Sequence, residues 1–143
     1  MSNASQLKGN WNYPTTIRFG LGRIRELAEA CRELGILRPL LITDPGLADL
    51  PMIKQALENC YNDGLLCGLF SDVKSNPIEA NVTAGVGAFK DNHHDGVIAF
   101  GGGSALDTAK AIALMVGQKR SIWDFEDRAD WWKRVNASGS VKS

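Results

Sequence analysis

The sequence predicts an α/β fold, a mostly parallel sheet with helices on both faces, and three observations lead there. Short, nearly unbroken apolar runs recur along the chain, the pattern of strands covered on both sides. Segments with apolar residues at helical spacing separate them. The two patterns alternate four times, which implies right-handed crossovers between parallel strands. At 143 residues the chain holds one domain with a real core rather than two comfortable ones.

The first segment, YPTTIRFG (13–20), is β-branched and interrupted by Pro14, so it reads as an edge strand or an arm. Arg23 to Gly35 puts Ile24, Leu27, Ala28, Cys31 and Leu34 on one helical face, with Gly35 as its stop. PLLIT (39–43) is a buried strand. Met52 to Tyr61 is helical through Ile53, Ala56, Leu57 and Cys60, and Asn62-Asp63-Gly64 turns the chain into a second strand, LLCGLF (65–70). The next helix runs from Ile78 to Phe89 with Asn76-Pro77 at its mouth, where proline is tolerated. DNHHDG leads into the strand VIAF (97–100), a turn of three glycines, and a last helix from Ser104 to Val116. Residues 117–143 read as a connector, whose Trp123, Trp131 and Trp132 are expected to pack against this domain or a further one.

Composition excludes several classes. Sixteen basic residues balance sixteen acidic ones, so no basic field draws nucleic acid or an anionic membrane. No run approaches the roughly 18 apolar residues of a membrane span, and the N-terminus has no apolar leader core. Cys31, Cys60 and Cys67 lie in apolar contexts without metal-ligand spacing and read as reduced core thiols of a cytoplasmic protein. His93 and His94 adjoin in a polar loop and read as solvated, not as metal ligands.

Ligands of an open parallel sheet bind beyond the carboxyl ends of its strands. Asp44, the 71–77 loop and Gly101 to Ser104 occupy those positions. Gly101, Gly102 and Gly103 carry no β-carbons, so a ligand can approach the backbone closely, and free N–H groups at the following helix start suit a pyrophosphate. Ser104 is placed to cap that helix, with Asp107 three residues on, a relative of the capping box. A merely well-capped turn is the alternative. The string is not GxGxxG, and Lys110 comes too late for a P-loop. Asp44 in LITDPG can accept from a ribose diol and repel a 2′-phosphate, or simply open an Asp-Pro-Gly turn. Asn76 before Pro77 has the same two readings.

GGGSALDTAK (101–110) is similar to the GGGSxxDxAK signature of the iron-containing alcohol dehydrogenase family. YPTTIRFGLGRI, LLITDPGL, the Asn76-Pro77 pair and WDFEDRADWW resemble the same family, so the likeness covers nearly the whole chain. It implies a Rossmann-like parallel sheet flanked by helices, of the dehydroquinate synthase-like N-terminal type, that binds NAD. It further implies Asp44 at the adenosine ribose, Asn76 on the cofactor cleft, and Gly101, Gly102, Gly103, Ser104 and Asp107 around the pyrophosphate and nicotinamide. Serine at 104, where glycerol dehydrogenases of the superfamily tend to carry lysine, favours the alcohol dehydrogenase branch. A dehydroquinate synthase-like lyase and a non-catalytic nucleotide-binding module are the alternatives. The family's catalytic divalent metal, commonly iron, is held in a helical C-terminal domain. The chain is thus expected to be an early part of a homodimeric enzyme acting on a small alcohol or aldehyde, and to be inactive alone.

Overall fold

The computed structural model describes residues 15–76, 78–126 and 131–134. Its centre is a three-stranded, wholly parallel sheet in the order β2-β1-β3, made of β1 (Pro39–Thr43), β2 (Gly68–Phe70) and β3 (Gly96–Phe100). All five residues of β1 are buried, because the strand lies between its neighbours and beneath helices on both faces. Leu40 and Ile42 join one apolar cluster, with Val82 and Phe89 of α4 (Glu79–Asp91) and Ala109 and Ile112 of α5 (Gly103–Met115). Leu41 joins another, with Ile53 and Ala56 of α3 (Pro51–Asn62). Alternate side chains of one strand thus serve both faces, which is why its apolar run has no polar breaks.

Three helices end alike. In α1 (Leu27–Glu33) the chain passes into Gly35 at φ 73°, with Gly35 N–H donating to Arg32 O at 2.9 Å and Ile36 N–H to Cys31 O at 2.8 Å. In α3 Gly64 at φ 82° does the same, its N–H donating to Tyr61 O and that of Leu65 to Cys60 O, both at 2.9 Å. These are paired Schellman bonds, whose left-handed residue suits glycine. The third stop, after α4, sets His93 in that position at φ 54°, with bonds from His93 N–H to Lys90 O and from His94 N–H to Phe89 O. His94 then meets the Phe89 ring at 6.0 Å between centroids and lies 2.9 Å through Nδ1 from Arg38 O. The solvated-loop reading therefore fails for His94, which is half-buried and helps end the helix; His93 is exposed. His93→Gly should raise stability by roughly 0.5–1 kcal/mol by removing the left-handed penalty, checked by urea unfolding. A less stable variant would mean that the imidazole makes a contact of its own.

Other boundaries differ from the sequence reading for local reasons. Leu65 is drawn into the stop of α3, so the second strand starts only at Gly68 instead of residue 65. The helix expected over 23–35 opens as a 3-10 turn at Arg23–Glu26, where Arg23 and Glu26 pair at 2.8 Å with the three-residue period of such a turn. A short α2 (Pro45–Ala48), with proline in its first turn, was not foreseen. Residues 15–20 form no strand. Arg18 of this arm instead reaches Glu26, Glu29 and Glu33 at 2.9, 3.1 and 2.6 Å, a row of carboxylates along α1 and the turn before it. Arg23 and Arg18 hold the Glu26 carboxyl down to about 2. The cysteines are all free, and burial pushes Cys31 to about 11 and Cys67 to about 12.

Candidate functional site

The connection from β1 to β2 runs through α3 on one face and that from β2 to β3 through α4 on the other, so the chain reverses direction across the sheet between β1 and β3. A crevice at such a switch point is where open α/β sheets take their ligands. Thr43, fully buried at the end of β1, donates its hydroxyl to Phe100 O at 2.6 Å and locks the two strand ends together. Asp44 and Gly101 follow directly. Gly101 sits at φ 144°, and a β-carbon on it would lie 2.9 Å from Asp44 Oδ2 and 3.2 Å from Ala105 Cβ. Glycine is needed there for both backbone and space.

The next two glycines differ. A β-carbon on Gly102 or Gly103 would meet nothing within 4 Å. Gly102 caps α5 in an extended conformation, with no side chain bonding to the first amides of the helix. The uncapped N–H groups and the positive end of a 13-residue helix therefore face open space beside Asp44. A β-carbon at Gly102 or Gly103 would project into that open space, and uncapped helix starts of this kind suit anions such as a pyrophosphate.

Ser104 is not the cap that its position promised. The helix begins one residue earlier, at Gly103, and Ser104 Oγ instead donates to Ser75 O at 3.3 Å. This bond draws the loop after β2 against the glycine turn and brings exposed Asn76 to its rim; Pro77 lies outside the described residues. Asp107, three residues into the helix from Ser104, takes no part in a capping box either. It is exposed and lines a 290 Å³ pocket between α4 and α5, together with Glu79, Ala111, Ile122 and Trp123. Asp44 opens α2 through its backbone, Leu47 N–H reaching Asp44 O at 3.0 Å, while its carboxylate makes no cap bond and stays available.

Among the described residues no group of three or more His, Cys, Asp and Glu can hold a metal ion. No helix there is long and apolar enough to cross a membrane.

The family model for iron-containing alcohol dehydrogenases matches residues 14–141. This chain belongs to that family. Individual relatives match somewhat shorter stretches of it. It is 35% identical to a choline dehydrogenase of Bacillus subtilis over 113 residues, 79% of this chain and 28% of that protein. It is 36% identical to a 4-hydroxybutyrate dehydrogenase of Cupriavidus necator over 103 residues, 72% of this chain and 26% of that protein. The crystal structure of a sulfoacetaldehyde reductase from Bifidobacterium kashiwanohense in complex with NAD+ superposes with TM-score 0.74 at 31% identity, covering 85% of this chain and 33% of that one. The chain thus spans about a quarter to a third of the length of these iron-type dehydrogenases.

Within this family fold, sequence reasoning missed Thr43, whose hydroxyl aligns the strand ends, and Glu79, which accepts from the Trp123 indole N–H at 2.8 Å. A threonine closing an apolar run was the only available signal for the first. None pointed to the second.

Proposed function

We propose that the chain is the cofactor-binding part of an NAD-dependent, metal-dependent alcohol dehydrogenase that moves a hydride between a small alcohol or aldehyde and nicotinamide. The observation that carries this reading is the open, uncapped glycine turn beside the free Asp44 carboxylate. Family membership and the likeness to a reductase crystallised with NAD+ support it.

In this reading the amides at Gly102, Gly103 and Ser104 hold the pyrophosphate, and Gly101 lets the chain turn tightly enough to present them. Asp44 accepts from the adenosine ribose diol. Asn76, Ser104 and Asp107 line the way towards the nicotinamide, which when bound supplies the hydride acceptor. The described residues do not fit the metal, so polarisation of the alcohol oxygen falls to groups outside them. On that ground the isolated chain is proposed to bind cofactor without turning over alcohol. Free buried thiols support a cytoplasmic setting, and outward-facing Ile17, Phe19 and Leu21 on the arm support a homodimer.

The test is calorimetric titration of the chain with NAD and NADP. A carboxylate at about 4 Å from a 2′-phosphate costs about 1 kcal/mol per charge pair in water-like surroundings, roughly fivefold in affinity, and more where water is excluded. NAD is therefore expected to bind at least that much better, and Asp44→Gly to close the gap by weakening NAD and strengthening NADP. A wild-type preference for NADP would defeat the assignment of Asp44, and absence of binding to either would defeat the cofactor reading.

A further inference from the structure

A cavity of 350 Å³ lies beside the 3-10 turn that precedes α1, and none of Asp44, Asn76, Gly101, Gly102, Gly103, Ser104 and Asp107 lines it. One wall is α3, on which Met52, Gln55 and Asn59 are spaced three and then four residues apart and share a face. The 3-10 turn supplies Ile24 and Arg25, and Phe100, the last residue of β3, completes the lining. The cavity is therefore amphipathic. Ile24, Met52 and Phe100 offer an apolar surface, and Arg25, Gln55 and Asn59 bring a guanidinium and two carboxamides.

Arg25 is set apart from its two arginine neighbours. Arg18 binds Glu26, Glu29 and Glu33, and Arg23 binds Glu26 at 2.8 Å, so the carboxylates along α1 and its preceding turn are already engaged. The Arg25 side chain makes no ion pair and no hydrogen bond among the described residues. It also borders an adjoining 210 Å³ hollow with Gln55, Asn59 and Asp63, which carries the polar end of the groove along α3. Asp63 follows the last turn of α3 and forms no ion pair with Arg25, so it leaves the guanidinium free and repels a second negative charge from that end.

We propose that this groove is a second small-molecule site, taking a monocarboxylate with an arylalkyl body, whose carboxylate pairs with Arg25 and whose ring lies against Met52 and Phe100. A planar guanidinium fork matches a carboxylate in shape and charge, and the carboxamide N–H groups of Gln55 and Asn59 can donate to the same oxygens. A thioether and a phenyl ring both favour an aromatic neighbour. The volume suits a ligand of that size. The inference is independent of the cofactor reading.

The experiment is calorimetric titration of the chain with 3-phenylpropionate and with 3-phenylpropionamide, which keeps the shape and loses the charge. Wild type should bind the carboxylate with one-to-one stoichiometry and the amide more weakly. Arg25→Gln should weaken the carboxylate roughly fivefold, the worth of one solvent-exposed charge pair, and leave the amide unchanged. Met52→Ala should weaken both ligands alike. Both residues are exposed, so circular dichroism and the urea midpoint should stay near wild type. Saturating NAD should leave the affinity for 3-phenylpropionate unchanged. Equal binding of carboxylate and amide, or affinities that neither variant alters, would overturn the proposal by placing the ligand elsewhere. Displacement of 3-phenylpropionate by NAD would overturn it by making the groove part of the cofactor site. A chain that binds NAD and not 3-phenylpropionate refutes this inference and leaves the cofactor reading standing, and one that binds 3-phenylpropionate and not NAD does the reverse.

Discussion

Gly103→Val is expected to leave the domain folded and to abolish binding of the dinucleotide. Gly103 is the first residue of α5, and a β-carbon on it meets no protein atom within 4 Å, so valine intrudes on no core contact. Its intrinsic helix propensity is no worse than that of glycine. The added methyl groups instead project over the amides assigned to the phosphates, and an oxygen that must come within about 3 Å of those nitrogens is excluded. Calorimetry should register no binding heat while circular dichroism and the urea midpoint stay near wild type. Gly101→Val is the contrasting variant. There the left-handed backbone and the 2.9 Å approach to Asp44 Oδ2 predict lost stability as well as lost binding. Retained affinity in a folded Gly103→Val chain would remove the phosphate from this turn.

Gly85→Val should give the largest loss of stability of any single exchange considered, roughly 3 kcal/mol. Gly85 of α4 lies against Ile112 of α5. A β-carbon on it would fall 2.1 Å from Ile112 Cδ1 and 2.8 Å from its Cγ1, with Phe70 3.4 Å away. Ile112 is fully buried in the cluster that joins α4, α5 and the sheet, and its branched side chain has nowhere to turn. Replacing glycine within a helix returns only a few tenths of a kcal/mol of propensity, so the clash prevails. Urea unfolding of Gly85→Val, Ile112→Ala and the double variant measures the coupling. The double variant should be markedly more stable than the sum of the two losses implies, since the space vacated at 112 accepts the new side chain. Additive losses, or a Gly85→Val chain as stable as wild type, would show that the helices are not in contact as described.

The candidate site is read from its strand ends. Asp44 and the three glycines were located because each directly follows an apolar run, and parallel sheets present ligand-binding residues there. The role of Ser104 was misjudged by a local rule. Serine before a helical segment reads as a cap, but with Gly102 extended the helix can start one residue earlier, which frees the hydroxyl for Ser75. The solvated reading of His94 fails for the same kind of reason, while His93 is exposed as expected. A polar pair after a helix reads as loop, whereas the stop motif places one in the left-handed region and packs the other on Phe89. The start of the strand expected over 65–70 moved to Gly68 because the apolar Leu65 serves a helix stop as well as it would have served a strand.

The amino-acid sequence by itself determined the order of the three sheet strands and of the longer helices between them, the parallel character of the sheet, the glycine turn and its place at a strand end. Those are properties of periodicity, of backbone freedom at glycine and of short connections, and they act within a few residues. Only the tertiary structure decided which ends meet. The hydroxyl of Thr43 finds the carbonyl of Phe100 across 57 positions, and the indole of Trp123 finds Glu79 across 44. Partners so distant in the chain are chosen by how α3, α4 and α5 pack on the two faces of β1, a collective outcome of burial that no local pattern records.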